Sequence, residues 1–565
     1  MIPGVRILAL LIVGLVLLGS LGAAGSPADA GDASLPSQAG VYQVHYTSGD
    51  QLSQIAAQFD LWEVDPESGY AVVALGAGDA AQLSSLGYRL LPAPDLAHKL
   101  VLGPPSYPCY RDVDQIYALL QQMTATYPSL TELVDYGNSW RKMQGLSSGY
   151  DLFVLRMTNE EFHIPKPRFF LMANIHAREL TTPETAIYFV QHLLENYGMD
   201  ADATWIMDYH EIYVIVTANP DGRRLVEDGC YQRKNRNDTL GNCQECDPWG
   251  YDHHGVDLNR NNPYHWGGAS YDPCSPVYHG SAAASEPETD HLNVLIRSLF
   301  PDQRAESDIA PAPEDTTGLL ISLHAYGRDV LWPWGWTAYD APNAAGLQTL
   351  GRKFAFFNGY DARPSSELYP TTGDTTDWAY GELGIPAYTF ELGNFFFQPC
   401  DDLQGIMQEN LGALLYAAKV PRRPYMMPAG PDTVSLSVQP AAAAPGTAIA
   451  LEATINDIRF RSSREPDPAE PVQNVTAAVY HIDALPWITA TVPMTHSMMA
   501  LDGVFDQPVE QVGATLDTSA LDAGRHTIFV RGQDAAGNWG AVSAIFLTVG
   551  EPAYRLYCPL VTREN

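Results

Sequence analysis

Residues 167–179, PRFFLMANIHARE, constrain this chain more than any other stretch. Residues 169–175 form an apolar run of strand length, with Asn174 its one polar residue. A run of that kind bounded by polar residues reads as a buried strand. It stops at His176, and Glu179 follows three residues later. A histidine and a carboxylate so spaced, just past a strand end, can both turn onto one ion. A His₂Glu set with an open fourth position is one of the arrangements that catalytic zinc adopts. The chain should then supply a second histidine from a distant strand. Taken alone, HxxE more often means a loop histidine and an acid favoured by a helix N-terminus. The pair gains meaning only if the rest of a site is present.

The rest is present. His324 closes the apolar run LLISL at residues 319–323, and Glu391 closes AYTF at residues 387–390. With His176 and Glu179, His324 completes the donor set. A carboxylate buried without a partner at a strand end costs several kcal/mol, on the order of the penalty for any unpaired buried charge. A water activated by the metal would give Glu391 that partner, since a nearby carboxylate can take its proton and pass it to a leaving amine. Bases then cluster in base-poor sequence: NPDG at 219–222 reads as a turn, followed by RKNR at 233–236 and GVDLNRN at 255–261. Guanidinium forks hold carboxylates, and an enzyme that removes C-terminal residues needs such an anchor as well as a cation for a developing oxyanion.

The chain around this constellation divides by pattern. Residues 1–30 read as a signal peptide, with Arg6, an apolar core and small residues at the cleavage region. Residues 31–100 read β-α-β-β-α-β, a small α+β ferredoxin-like unit. Its position suits a propeptide, with a proline-rich linker over 92–108. Residues 109–424 alternate strands and helices, so the expected fold class is α/β, a mixed, mostly parallel sheet flanked by helices. Ligands in such sheets bind beyond the carboxyl ends of the strands. Residues 432–550 change to short alternating runs separated by Gly, Pro and Asp, as in a small Ig-like or fibronectin-like β-sandwich. A tail, 551–565, follows.

Composition limits the partners. Acids outnumber bases 66 to 32, for a formal charge of −34, which argues against nucleic acid and anionic membrane surfaces. Beyond the leader no segment is apolar enough for stable membrane insertion. An exported protein with seven cysteines should carry disulfides, and the odd count leaves one unpaired or joined to another molecule. Cys243 and Cys246 are read as one loop disulfide or as members of two bridges.

The motifs IHARE, TANPDG, RKNR, GVDLNRN, YHG with SEPET, SLHAYG, and LYPTTGDTTDWAY ending in YTFELG stand in that order in this chain. In them residues 109–420 resemble the zinc metallocarboxypeptidase family of the carboxypeptidase A/B type, closest in motif to carboxypeptidase T. The resemblance implies a carboxypeptidase-like fold, one Zn²⁺ per catalytic domain held by His176, Glu179 and His324, and peptide or protein C-termini as substrates. It implies Glu391 as general base, Arg233 at the carbonyl and oxyanion, and Asn259 with Arg260 as the clamp on the terminal carboxylate. Tyr369 matches the tyrosine that closes over the last residue, and Arg178 a further subsite. Asp374 and Thr376 sit where the family sets specificity. A neutral Thr376 with Asp374 two residues earlier resembles carboxypeptidase T and implies mixed acceptance of apolar and basic last residues. The bland reading is that Asp374 only caps a turn.

One departure concerns cysteine. The A type pairs the counterpart of Cys274 with a cysteine just before GVDLNRN, where this chain has His253 and His254. The bridge is rewired or absent, with Cys243 or Cys246 as the alternative partner. The acids of the insert 237–252 offer a calcium site, but nothing else supports calcium and a plain loop is the preferred reading. The leading expectation is a secreted zinc metallocarboxypeptidase made as a zymogen. Its rivals are a zinc amidase acting on cell-wall peptides and a catalytically dead peptide-binding protein. The partner of the β-sandwich is not readable.

Overall fold

The computed structural model describes residues 39–96, 108–246, 253–458, 470–488 and 492–550. The leader, most of the proline-rich linker, Cys558 and the tail lie outside these residues. The N-terminal unit comprises β1 (Gly40–His45), a helix at Gly49–Ala56, β2 (Leu61–Asp65), β3 (Tyr70–Leu75), a helix at Ala77–Ser85 and β4 (Arg89–Pro92), with strand order β2-β3-β1-β4. The first helix starts where Ser48 accepts from the Gln51 amide, the kind of cap that satisfies an orphan donor.

The central sheet has eight strands: β5 (Thr131–Asn138), β6 (Asp151–Met157), β7 (Arg168–Ala173), β8 (Glu211–Ile215), β9 (Leu319–His324), β10 (Asp329–Trp332), β11 (Asp361–Pro364) and β12 (Ala387–Glu391). Their order is β11-β10-β12-β9-β7-β8-β6-β5. The inner pairings β12/β9, β9/β7 and β7/β8 are parallel, and antiparallel strands flank them. This is the mixed, mostly parallel sheet expected. Residues of β7 and β9 are buried on both faces, which is why their sequences do not alternate. Helices Thr181–Asn196, Ala344–Asn358 and Cys400–Lys419 add to the same apolar core.

Two local expectations change. NPDG is not a free turn. It starts the helix Pro220–Glu227, with Asn219 accepting from the Gly222 amide and Pro220 in the first turn, where proline's missing N–H costs nothing. β7 ends two residues early, at Ala173, because Asn174 takes a left-handed φ of 57°.

The C-terminal strands are β13 (Asp432–Gln439), β14 (Ala442–Ala443), β15 (Ala448–Asn456), β16 (Val475–Ile482), β17 (His496–Ala500), β18 (Val509–Asp517), β19 (Gly524–Asp534) and β20 (Ser543–Val549). β17 pairs with both β16 and β18, and Ile449, Leu451, Val512, Ile528 and Leu547 meet in one apolar cluster. Phe529 and Val542 instead join the core of the central sheet. Three disulfides link Cys109 to Cys400, Cys230 to Cys246 and Cys243 to Cys274. Cys243 and Cys246 therefore belong to separate bridges, and Cys274 has the first of its two candidate partners. Among the described residues no helix is long and apolar enough to cross a membrane.

Candidate active site

Strand register assembles the site. β9 and β12 run parallel with His324 and Glu391 as cross-strand partners, and β7, the other neighbour of β9, ends opposite Leu323. The chain then turns on Asn174, whose Nδ2 donates to the carbonyls of His176 and Ala177 at 3.0 and 3.1 Å. Asparagine is among the few residues that visit the left-handed region readily. This clamp presents His176 and Glu179 to the end of β9.

The three side chains converge. His176 Nδ1 lies 2.7 Å from Glu179 Oε1 and 3.1 Å from His324 Nδ1. His324 Nδ1 lies 3.4 Å from Glu179 Oε2. The far nitrogen of each ring is held from behind: His176 Nε2 sits 3.3 Å from Asp257 Oδ1, and His324 Nε2 sits 2.9 Å from the Ser322 hydroxyl. A proton on each Nε2 would leave each Nδ1 a lone pair turned inward. Glu179 Oε2 is buried beside them without a hydrogen-bond partner. Electron-pair donors gathered in a buried pocket repel one another unless a cation lies among them. The ligand atoms lie within 4.8 Å of one another, and a buried set of two imidazoles and a carboxylate suits zinc. Sequence reasoning gives Asp257 and Ser322 no role. Ser322 had a signal, since residues two apart on a strand share a face; a carboxylate supporting a ligand from behind has none.

Around this cluster lies a cavity of about 390 Å³ whose lining includes Glu391, Arg233, Asn259, Arg260, Tyr369, Asp374 and Thr376. Burial first, then the charges of Glu179 and Asp329, hold the Glu391 carboxyl well above its ordinary range. Asp329 is the register partner of Glu391 on β10 and is paired with Arg363 at 2.6 Å. Arg233 is fixed by Asp257 Oδ2, which accepts from its Nε and Nη2 at 3.0 and 2.9 Å. One carboxylate thus braces both a ligand ring and the guanidinium. The other bases of RKNR turn away: Lys234 Nζ donates to the carbonyls of Pro273 and Ser275, and Arg236 pairs with Glu245.

Asn259 Oδ1 accepts from the Thr375 amide at 3.0 Å, and Arg260 Nη1 donates to the Asn259 carbonyl at 2.9 Å. The loop before Asp374 crosses this segment at Gly373, where φ is +68° and a Cβ would lie 2.4 Å from the Arg260 carbonyl oxygen. Only glycine fits there. Asp374 does cap a turn: Oδ1 accepts from the Asp377 amide and the Thr376 hydroxyl, both at 2.8 Å, and Oδ2 from Thr371 at 3.0 Å. It lines the cavity as well. Burial pushes the Tyr369 hydroxyl up to about 12.

The N-terminal unit reaches into the same space, which the sequence does not foretell. Asp60, just before β2, pairs with Arg178, and its Oδ1 lies 3.1 Å from Arg233 Nη1. The Trp62 indole donates to Asp60 Oδ2 at 3.0 Å, and its ring packs against Tyr231 and Phe396 at 5.7 and 5.9 Å between centroids. Arg178 lies over those same two rings. Burial alone would raise the Asp60 carboxyl, but the two guanidiniums outweigh it and hold it below its ordinary range.

Comparison with known proteins bears on the whole region. A family model described as zinc carboxypeptidase matches residues 116–413. Over 344 residues the chain is 30% identical to zinc carboxypeptidase A 1 of Anopheles gambiae, covering 57% of this chain and 70% of that protein. Over 356 residues it is 28% identical to a zinc carboxypeptidase of Saccharothrix mutabilis subsp. capreolus, covering 61% and 75%. The crystal structure of carboxypeptidase A from Helicoverpa armigera superposes with a TM-score of 0.53 at 21% identity, over 69% of this chain and 98% of that one. At that identity the superposition speaks for the fold.

Proposed function

This chain belongs to the zinc carboxypeptidase family, and from that premise we propose that it is an exported precursor whose processed form removes single residues from peptide and protein C-termini, accepting apolar and basic last residues. It is a hydrolase of the peptidase class that uses zinc. His176, Glu179 and His324 would hold the ion, which supplies Lewis acidity at that point of the cavity.

The remaining work falls to the chain's own groups. Asn259 and Arg260 take the substrate's terminal carboxylate, which sets the scissile bond one residue inward. Arg233 donates N–H groups to the carbonyl oxygen as it gains negative charge. Glu391 accepts a proton from the attacking water and returns it to the leaving amine. Burial raises its carboxyl, which makes it a stronger base than an exposed carboxylate. Tyr369 covers the last residue, and Arg178 borders the preceding one. Asp374 faces a lysine or arginine at the end of the pocket, beside Thr376.

The observation that carries the reading is the meeting of a buried His₂Glu set, a carboxylate on the adjoining strand and Arg260 in one cavity. Residues 31–100 are read as a propeptide because Asp60 occupies the guanidiniums of Arg178 and Arg233. The test is a panel of short peptides that differ only in the last residue, with free or amidated C-termini, with and without a zinc chelator. Free termini ending in Leu, Phe, Lys or Arg are cleaved and the chelator stops turnover. Equal cleavage of amidated peptides would sink the proposal.

A further inference from the structure

We propose that the cavity between the segment leading into β7 and the segment that follows β16 binds a small aromatic monocarboxylate. This cavity measures about 240 Å³, below the roughly 300–1,000 Å³ of pockets for drug-sized ligands, so it suits one ring and a short acid arm. Trp205, Tyr209 and Trp487 form its apolar walls, and Arg422 and Lys166 are its two cations.

Lys166 feels the charges of Asp208, Glu160 and Glu211, whereas Arg422 has no acid acting on it among the described residues. The Arg422 guanidinium lies 4.5 Å from the Trp487 ring centroid, and Arg531 covers Trp487 at 4.8 Å and Trp539 at 4.4 Å. Two guanidiniums and two indoles thus interleave. Among the described residues neither Arg422 nor Arg531 has an ion pair, and Arg531 Nε is buried with no hydrogen-bond partner. Elsewhere the buried guanidiniums of Arg178, Arg223 and Arg233 each meet a carboxylate, and acids outnumber bases 66 to 32 in this chain. Arg304, a buried guanidinium that also stacks on rings without an ion pair, donates instead to the carbonyls of Ala310, Gly381 and Ser307, partners that Arg422 and Arg531 lack among the described residues. Stacking on an indole covers the face of a guanidinium but leaves its N–H edge free for a carboxylate.

The nearby acids act on Lys166 and not on Arg422. Lys166 Nζ donates to the Thr158 hydroxyl and the Asn159 carbonyl at 2.7 and 2.6 Å, which leaves one of its three N–H groups. Asp208 Oδ1 accepts from Asn159 and Tyr197, each at 2.8 Å, and its charge acts on Lys166, while Asp483 pairs with His526 at 2.6 Å. Burial first, then the adjacent arginines, lower Arg422 and bring Arg531 down to about 10. An anion seated on Arg422 relieves that repulsion, and the tryptophan and tyrosine walls contribute the preference for a flat body.

The test is ¹⁹F NMR of 4-fluorophenylacetate with the full-length protein. Saturable binding is expected, with acetate and 4-fluorobenzyl alcohol each weaker by about tenfold or more, the scale of one charged hydrogen bond. Arg422→Ala should weaken binding by a similar factor at an unchanged unfolding temperature, and Arg260→Ala, in the other cavity, should leave it intact. If Arg422→Ala loosens the junction, Lys166→Met decides by the same criterion. Unchanged affinity in the deciding variant, equal binding of the neutral alcohol, or loss of binding in Arg260→Ala overturns the proposal.

Discussion

Replacing Asp60 by alanine tests whether the N-terminal unit, read above as a propeptide, silences the site. Asp60, Arg178 and Arg233 are 6%, 0% and 5% exposed, so solvent screens their contacts little. Arg233 keeps Asp257 after the change, whereas Arg178 loses the one carboxylate it meets among the described residues. Truncating one partner of a buried, hydrogen-bonded charge pair costs about 2–5 kcal/mol, much of it the penalty on the charge left behind. That penalty falls on the docked state alone, because undocking returns Arg178 to water. Docking should therefore weaken by roughly 30-fold to a few thousand-fold. Val41, Trp62 and Val72 still pack against Tyr231 and Phe396, so the unit is loosened and not expelled.

The assay is turnover of a free-terminus peptide by the uncut chain, expressed relative to the same chain after linker cleavage, with a gel to prove the linker intact. In Asp60→Ala the ratio should rise by that factor, up to the processed rate. Asp60→Asn should fall between, since it keeps a hydrogen bond and loses the charge. If the uncut Asp60→Ala chain stays as silent as wild type while the processed forms match, the ion pairs do not hold the latch.

Three further outcomes are expected. Glu391→Gln should lower kcat by about 10²–10⁴-fold with zinc content unchanged by elemental analysis, because Glu391 lies outside the donor set. Asp257→Asn should weaken zinc about 10–100-fold in a chelator competition, and should also lower kcat by freeing Arg233. Glu288 is buried, accepts from the Trp140 amide at 2.7 Å and Asn235 Nδ2 at 3.1 Å, and is pushed up to about 8 by burial and then by Asp221 and Glu286. The folded chain thus keeps a proton that the unfolded chain has lost, so stability falls as pH rises from the ordinary carboxyl range towards 8, by up to about 1.4 kcal/mol per pH unit. Glu288→Gln should flatten the fall of the unfolding midpoint between pH 5 and 8; an unchanged slope would show that Glu288 does not hold that proton.

What could be read from the chain depended on whether its physics was local. β7 and β9 announce themselves because strands buried on both faces are apolar nearly throughout, and the polar residues that end them and β12 stand out. β10 and β11 give no such signal, since four residues such as DVLW or DARP carry no period. The helix Pro220–Glu227 hid behind NPDG, which serves a turn and an N-cap equally well. RKNR promised three cations, and one faces the cavity; nothing in four adjacent residues tells which will pair with Glu245 or with the carbonyls of Pro273 and Ser275. Asp60 was out of reach for a different reason. Its partners lie 118 and 173 positions later, on a surface that exists only after both units fold.

The same logic explains why the base sits where it does. On β12, Tyr388 and Phe390 pack against Phe354 of the helix Ala344–Asn358 at 5.2 and 5.3 Å between centroids, and the Tyr388 hydroxyl donates to the Leu347 carbonyl at 2.8 Å. Side chains alternate along a strand, so Thr389 and Glu391 must face the cavity. A slip of one residue would turn Glu391 into the helix layer and expose Phe390 to the metal ligands. Two aromatic side chains that never touch substrate therefore fix which face the carboxylate takes, and the pairing of Glu391 with His324 sets its depth. The chemistry of the site is decided by the packing on the opposite side of the sheet.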